Sequence, residues 1–401
     1  MGRFLFVVPP LVGHVNPAAA VAAELAGRGH CVAWAGVPEL VAQAAGPGAE
    51  VYACGVPERP GRPPELRGVG ALQFLWRDFL VPLAEAMAPG VEHAVTDFRP
   101  DVVVADQQAF AGALAAERAG VRWATSATTS AEFTGAVAAM PKVEEWIRGL
   151  LAGLRQRLGD PAAHGDPRFS PYLVLAFTTA ELVGAAAPGV RFVGPALAHR
   201  PAAADDFPWE WLDGGRPTVL VSLGTANTDV GARFLTECAA AVRDRAGRMR
   251  AVIADPGGAL GGTSDADVLV RPRVPQLPLL PRMSAVVCHA GHNTVAESLW
   301  HGVPLVVAPI RDDQPVVAAQ VTAAGAGVRV RFGRAGRAQL GVALDAVRSE
   351  ARYRASALRV RDSFRRAGEP RPPRAIWKSS PTGHRGARYR QLGEYSSLTV
   401  H

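Results

Sequence analysis

Two histidines in one short segment raise the first question of chemistry. Cys288-His289-Ala290-Gly291-His292-Asn293-Thr294 continues a short apolar strand, Ala285 to Cys288, into a helix predicted to begin at about Thr294. Backbone N–H groups at a helix start attract anions, phosphate above all. His289, at the strand end, can give the same phosphate a hydrogen bond or a positive charge. Glu297 follows on the helix, and Asp313 and Gln314 come after the next strand. Polar side chains so placed suit a ligand rich in hydroxyls. The set reads as a site for a diphosphate joined to a sugar.

A second histidine-bearing loop opens the chain. Gly13-His14-Val15-Asn16-Pro17 follows the first strand and precedes a helix. A histidine there suits a general base, its ordinary pKa lying close to neutrality. A lone loop histidine is more often structural, so its context matters. Asp106 ends the strand Val102 to Ala105 and is placed either to orient a histidine or to cap the helix expected near Ala109. Asp101, at the opposite end of that strand, reads as a flank only.

Ser222-Leu223-Gly224-Thr225 is a tight small-residue loop after a strand, able to approach a sugar or phosphate closely, though such loops are also common turns. Arg271-Pro272-Arg273-Val274-Pro275-Gln276 is extended and pinned by proline. Its backbone at Val274 and the side chain of Gln276 suit the edge of a nucleobase, or the segment is a rigid connector. Asp205-Asp206 and Asp312-Asp313 lack the histidine or carboxylate company of a metal site, so no metal is expected. No GxGxxG follows an opening strand, and neither a GxSxG nor a Walker A sequence is present.

These residues need elements to hold them. Phe4–Val8, Cys31–Ala35, Asp101–Ala105 and Trp123–Ser126 read as strands alternating with helices, and Phe192-Val193-Gly194-Pro195 as the last strand and exit of this half. Pro17 suits a first helical position, with Gly29 at the helix end. The pattern restarts with Thr218–Ser222, Arg250–Ala254, Val268–Val270, Ala285–Cys288 and Pro304–Ala308. Alternation of this kind predicts an α/β chain with parallel sheets covered by helices on both faces. Ligands of such sheets lie beyond the carboxyl ends of the strands. His14, Asp106, Thr225, His289 and Asp313 all follow strands directly, so two Rossmann-like domains facing one cleft are expected.

Length agrees, since 401 residues exceed one ordinary core. The expected division is 1–197, a Pro-, Ala- and Asp-rich linker 198–216, a second domain 217–368, and a tail 369–401. The net charge of +7 is concentrated in that tail, where Arg371, Arg374, Lys378, Arg385, Arg388 and Arg390 face only Glu369 and Glu394. The body is nearly neutral, which argues against a nucleic-acid partner. Cys31, Cys54, Cys238 and Cys288 are far apart and show no zinc spacing, as expected of isolated thiols in a reducing cytoplasm. The run Arg3–Val8 is too short for a signal core, and no stretch is apolar enough to span a membrane.

Taken together, these residues resemble the nucleotide-sugar-dependent family 1 glycosyltransferases of GT-B fold, most of all the bacterial macrolide and antibiotic type. The resemblance runs from about residue 3 to residue 367. It rests on Gly13-His14 with Pro17, then Pro275-Gln276, His289, Gly291, Asn293-Thr294, Glu297, Gly302-Val303-Pro304 and Asp313-Gln314. It implies a metal-independent, inverting transfer from a dTDP- or UDP-sugar co-substrate, with no cofactor, to a hydroxyl of a hydrophobic acceptor such as a polyketide or macrolide. A monomer or homodimer is implied.

The resemblance also implies roles. His14 is the base and Asp106 holds it. His289, Gly291, Asn293 and Thr294 surround the diphosphate, with Ser222 and Thr225 nearby. Glu297 takes the ribose, Val274 and Gln276 border the base, and Asp313 and Gln314 bind the donor sugar. Aromatics such as Phe74, Trp76, Phe79, Phe133 and Trp146 either line an acceptor cavity or belong to the core. Two features depart from the family. Arg273 stands where relatives stack an aromatic ring, and Glu369-Pro370-Arg371-Pro372-Pro373 replaces an Ala-rich helix that crosses back to the first domain. Disorder is expected beyond about 369. A silent sugar-nucleotide binder or an epimerase of the same architecture is the alternative.

Overall fold

The structure, a computed structural model, describes residues 1–58, 62–63, 66, 68–136, 140–197, 207–224, 227, 230–262 and 264–367. Thr225, the pair Asp205-Asp206, the linker portion 198–206 and the expected tail 369–401 lie outside the described residues.

Strands β1 (Arg3–Val7), β2 (Cys31–Gly36), β3 (Val51–Ala53), β4 (Val102–Asp106), β5 (Arg122–Ala127), β6 (Val174–Ala176) and β7 (Val190–Phe192) form one sheet in the order β3-β2-β1-β4-β5-β6-β7. A second sheet runs β10 (Val268–Arg271), β9 (Arg250–Ala254), β8 (Thr218–Ser222), β11 (Met283–Cys288), β12 (Leu305–Val307), β13 (Gly327–Arg329). Every pairing is parallel. Central strands covered on both faces read as continuous apolar runs, and Phe4-Leu5-Phe6-Val7 and Val219-Leu220-Val221 are buried throughout.

In both sheets the strand order reverses once, between β1 and β4 and between β8 and β11. The loops leaving these strands diverge there and open a crevice at the strands' carboxyl ends. His14 and Asp106 come from one reversal point, and Ser222 and His289 from the other. One apolar cluster carries residues of both halves, including Ala127, Phe133 and Val174 with Leu220, Val286 and Phe364. The C-terminal helix Ala351–Ala367 buries Tyr353, Ala357, Val360 and Phe364. Near its end Ser363 Oγ lies 2.6 Å from Thr179 Oγ1 of the first half.

Some elements differ from expectation. The first helix begins at Val12, so His14 stands in a helical turn rather than a loop, and Pro17 is inside the helix rather than at its start. Extended Leu11 starts it, its carbonyl accepting from His14 N and Val15 N. The second-half helix starts at His292, with Gly291 as its cap. Strands β3, β6 and β13 were not foreseen; each is three residues long at or near a sheet edge, too short for a periodic signal. Trp76 stacks on Phe110 at 5.5 Å in a cluster with Phe79 and Trp146, and Phe133 is buried in the shared core. Trp76 and Phe133 are core, and Phe79 and Trp146 are partly buried against it.

Candidate active site

His14 projects from the first turn after β1 and is 15% exposed at its side chain, whereas Asp106 is fully covered. His14 Nδ1 lies 2.9 Å from Asp106 Oδ1. Thr128, in the loop after β5, donates from Oγ1 to Asp106 Oδ2 at 2.9 Å and stands 2.7 Å from the same His14 nitrogen. Asp106 Oδ1 also accepts Gln108 N at 2.9 Å, so the carboxylate both closes its own turn and grips the imidazole. With Nδ1–H engaged, Nε2 keeps its lone pair and is the basic nitrogen. Burial disfavours a charged imidazole here. The charge and hydrogen bond of Asp106 oppose that, helped by Asp313 and Glu132, and the net shift is upward from 6.5.

Across the crevice, Gly291 leads into the helix His292–Trp300. The ring of His289 lies between two glycines: a Cβ on Gly224 would come within 2.8 Å of it, and one on Gly291 within 2.4 Å. Gly224 also has a left-handed φ of 71°, which suits glycine alone. Burial, and secondarily the charge of Arg311, pulls the His289 pKa down to about 4 while the Ser222 backbone opposes them, so the ring is neutral at pH 7. It offers a hydrogen bond, not the charge that the sequence left open. Its Nδ1 has no hydrogen-bond partner among the described residues.

Asn293 Nδ2 donates to the carbonyl of Gly13 at 2.8 Å, joining the start of the helix His292–Trp300 to the turn that carries His14. Gln276 Nε2 donates to Glu297 Oε2 at 2.5 Å, so these two residues share one corner, while Val274 packs against the shared core. Arg273 is exposed. Thr294 is buried inside the helix and its carbonyl accepts Ser298 Oγ at 2.7 Å. Asp313 Oδ2 accepts Thr129 Oγ1 at 2.5 Å, a second bridge over the crevice. Burial raises the Asp313 pKa, opposed by Thr129 and aided by Asp312. Gln314 begins the helix Gln314–Ala323, and its Oε1 accepts Ile310 N and Arg311 N, which braces the loop before it. Asp312 is gripped by both terminal nitrogens of Arg62, at 3.0 and 2.7 Å. The acid pair is therefore divided between two partners.

The sequence profile of the family described as "UDP-glucoronosyl and UDP-glucosyl transferase" matches residues 187–391. The chain is 31% identical over 408 residues to 4'-demethylrebeccamycin synthase of Lentzea aerocolonigenes, covering 90% of this chain and 95% of that one. It belongs to the family 1 glycosyltransferases. Demethyllactenocin mycarosyltransferase of Streptomyces fradiae is 30% identical over 409 residues, covering 92% of this chain and 84% of that relative. The crystal structure of the kitacinnamycin glycosyltransferase superposes with a TM-score of 0.74 at 25% identity, over 92% of this chain and 95% of that one. The fold is GT-B, and the enzyme is a glycosyltransferase that uses nucleotide sugars. The family match runs on past residue 367, into the segment that departs from the family's usual pattern.

Several polar residues that bond around these loops escaped sequence reasoning. Thr128 and Thr129 belong to the run Thr128-Thr129-Ser130 directly after β5, a signal of the same kind as the others and available to be read. Partly buried Arg168, whose guanidinium meets Glu132 at 3.3 Å and Asp166 at 2.6 Å, had no such signal, nor did Asn227 and Arg311. Among the described residues no group of histidine, cysteine, aspartate and glutamate is arranged to hold a metal, and no helix is long and apolar enough to cross a membrane.

Proposed function

We propose that the enzyme moves a sugar, with inversion, from dTDP- or UDP-sugar to a hydroxyl of a lipophilic natural product such as a polyketide or macrolide. In this reading residues 1–197 form the acceptor half and 217–368 the donor half. The observation that carries it is the His14–Asp106 contact of 2.9 Å, set on a turn that Asn293 of the anion-binding helix touches directly. Base and donor loop thus meet at one crevice, as a transfer reaction requires.

The step balances without a further reactant. His14 Nε2 takes the proton of the acceptor hydroxyl, and that oxygen bonds to the anomeric carbon from the face opposite the diphosphate. The bond from that carbon to the diphosphate oxygen breaks, and its electron pair leaves with the nucleoside diphosphate. Asp106 stabilises the imidazolium that forms. N–H groups at the start of the His292–Trp300 helix, with His289, meet the charge growing on the leaving group. Glu297 with Gln276 suits the ribose and base edge, and Asp313 with Gln314 the sugar hydroxyls. We propose that no metal takes part, because these groups meet the leaving-group charge; a chelator should leave turnover unchanged.

The test is turnover with thymidine and uridine diphosphate sugars against polyketide and macrolide acceptors. Transfer with an inverted anomeric centre supports the reading. Conversion of the donor sugar without transfer, or nucleotide binding without turnover on any acceptor, overturns it.

A further inference from the structure

Consecutive hydroxyls follow β5 in the run Thr128-Thr129-Ser130, and each of these residues is buried. Thr128 Oγ1 donates to Asp106 Oδ2 at 2.9 Å and so belongs with the pair that contains His14. Thr129 Oγ1 donates to Asp313 Oδ2 at 2.5 Å, and Ser130 Oγ to Gln320 Oε1 at 2.7 Å. Both of those acceptors belong to one part of the second half. Asp313 directly precedes the helix Gln314–Ala323, and Gln320 lies about two turns along it. Neighbouring residues of one loop thus meet the His14–Asp106 pair and the Asp313 carboxylate. Burial is the largest influence on the pKa of His14 and of Asp313, and against it each favours the charged form of the other. At Asp313 the hydrogen bond from Thr129 is the largest influence opposing burial.

We propose that Thr129 is a positioning residue for transfer, its hydroxyl fixing the Asp313 carboxylate across the crevice so that the sugar Asp313 meets is set in register with His14. This rests on the reading of Asp313 as a ligand of the donor sugar. A carboxylate has about four acceptor sites, so one hydroxyl orients it without filling it. Thr128, one residue earlier, bonds to Asp106, so base and sugar carboxylate take their positions from the same short stretch of backbone. Such registration matters because a misplacement of about 1 Å can cost roughly 100-fold in rate. Ser130 is a brace by contrast: Gln320, its partner, bonds otherwise to Thr134 Oγ1 of the first half, at 3.4 Å.

Transfer kinetics of the full chain with varied dTDP- and UDP-sugars, beside calorimetric titration with thymidine and uridine diphosphates, test this. Thr129→Val keeps the shape and removes the hydroxyl. Its kcat/KM for the donor should fall roughly 10–100-fold, the range for a hydrogen bond to a charged group, while affinity for the sugar-free diphosphates stays unchanged. Thr129→Ser restores the hydroxyl and should recover most of the loss. Thr129→Ala carries the comparison if the valine variant fails to fold. In an Asp313→Ala background the valine change should cost no more than about twofold, because a positioning residue acts only through its partner. Ser130→Ala should lower the melting temperature and leave kcat/KM within about twofold. Unchanged kcat/KM in the valine variant, an equal loss of diphosphate affinity, no recovery with serine, the full loss in the Asp313→Ala background, or an equal loss in Ser130→Ala would make Thr129 a brace between the halves and overturn the proposal. Wild type that transfers from neither donor class overturns the donor reading itself.

Discussion

The side-chain amide of Asn293 donates to the backbone carbonyl of Gly13 at 2.8 Å, between residues 280 positions apart in the chain. A helix normally uses such a carbonyl for the N–H four residues on. Here that residue is Pro17, which has no N–H to give. The proline inside the first helix therefore leaves an acceptor at the crevice, and Asn293 takes it.

Pro17→Ala should separate stability from activity. The new N–H competes for the Gly13 carbonyl and the helix loses an interior proline, so the melting temperature rises. Transfer should fall several-fold, in line with about 0.5–1.5 kcal/mol for one weakened hydrogen bond. Calorimetry and kcat/KM on one preparation check both signs. A variant that melts lower, or transfers as fast as wild type, contradicts this account.

His14→Ala should keep nucleoside diphosphate affinity and lose roughly 10²–10⁴-fold in transfer, the usual worth of a positioned base. Because the His14 pKa is raised, the wild-type rate should fall with decreasing pH along a limb centred above 6.5. Asp106→Asn removes the charge that raises it, so the limb should move to lower pH. A pH profile that stays in place would release Asp106 from this role.

The same ion pair has a stability consequence. A pKa raised by folding contributes stability that is complete below the unfolded value and is lost as pH rises through the folded one. The melting temperature advantage of wild type over Asp106→Asn should therefore be larger at about pH 5.5 than at about pH 8.5. Equal differences at both pH values would refute the coupling.

Gly291→Ala places a methyl group 2.4 Å from His289 Nε2, although the backbone there, at φ −64°, tolerates any residue. The ring must turn away from the helix start. Diphosphate affinity should drop by about tenfold or more, consistent with losing a charge-assisted hydrogen bond, with little change in melting temperature. Titration beside a thermal melt distinguishes this local effect from unfolding.

Phe364 is fully buried in the cluster shared by both halves, on the helix whose Ser363 reaches Thr179. Phe364→Ala should cost about 3–5 kcal/mol of stability. A melting curve that matches wild type would mean this helix is not needed to hold the halves together.

The sequence by itself determined the strands that matter and the residues at their ends. The bounds of β8 and β9 follow from it directly, because buried parallel strands are apolar runs bounded by small or polar residues. The position of His289 follows for the same reason, since it comes directly after β11, whereas His14 lies in the helix after β1 and Asp313 in the longer loop after β12. Partners were another matter. That Asp106 grips His14, that Asp312 goes to Arg62 while Asp313 goes to Thr129, and that Asn293 finds Gly13 depend on strand order and on how two sheets face each other. No local periodicity encodes those contacts, which join segments far apart in the chain. Nor does sequence say which way a histidine's pKa moves: burial lowers that of His289 to about 4, and a neighbouring carboxylate raises that of His14.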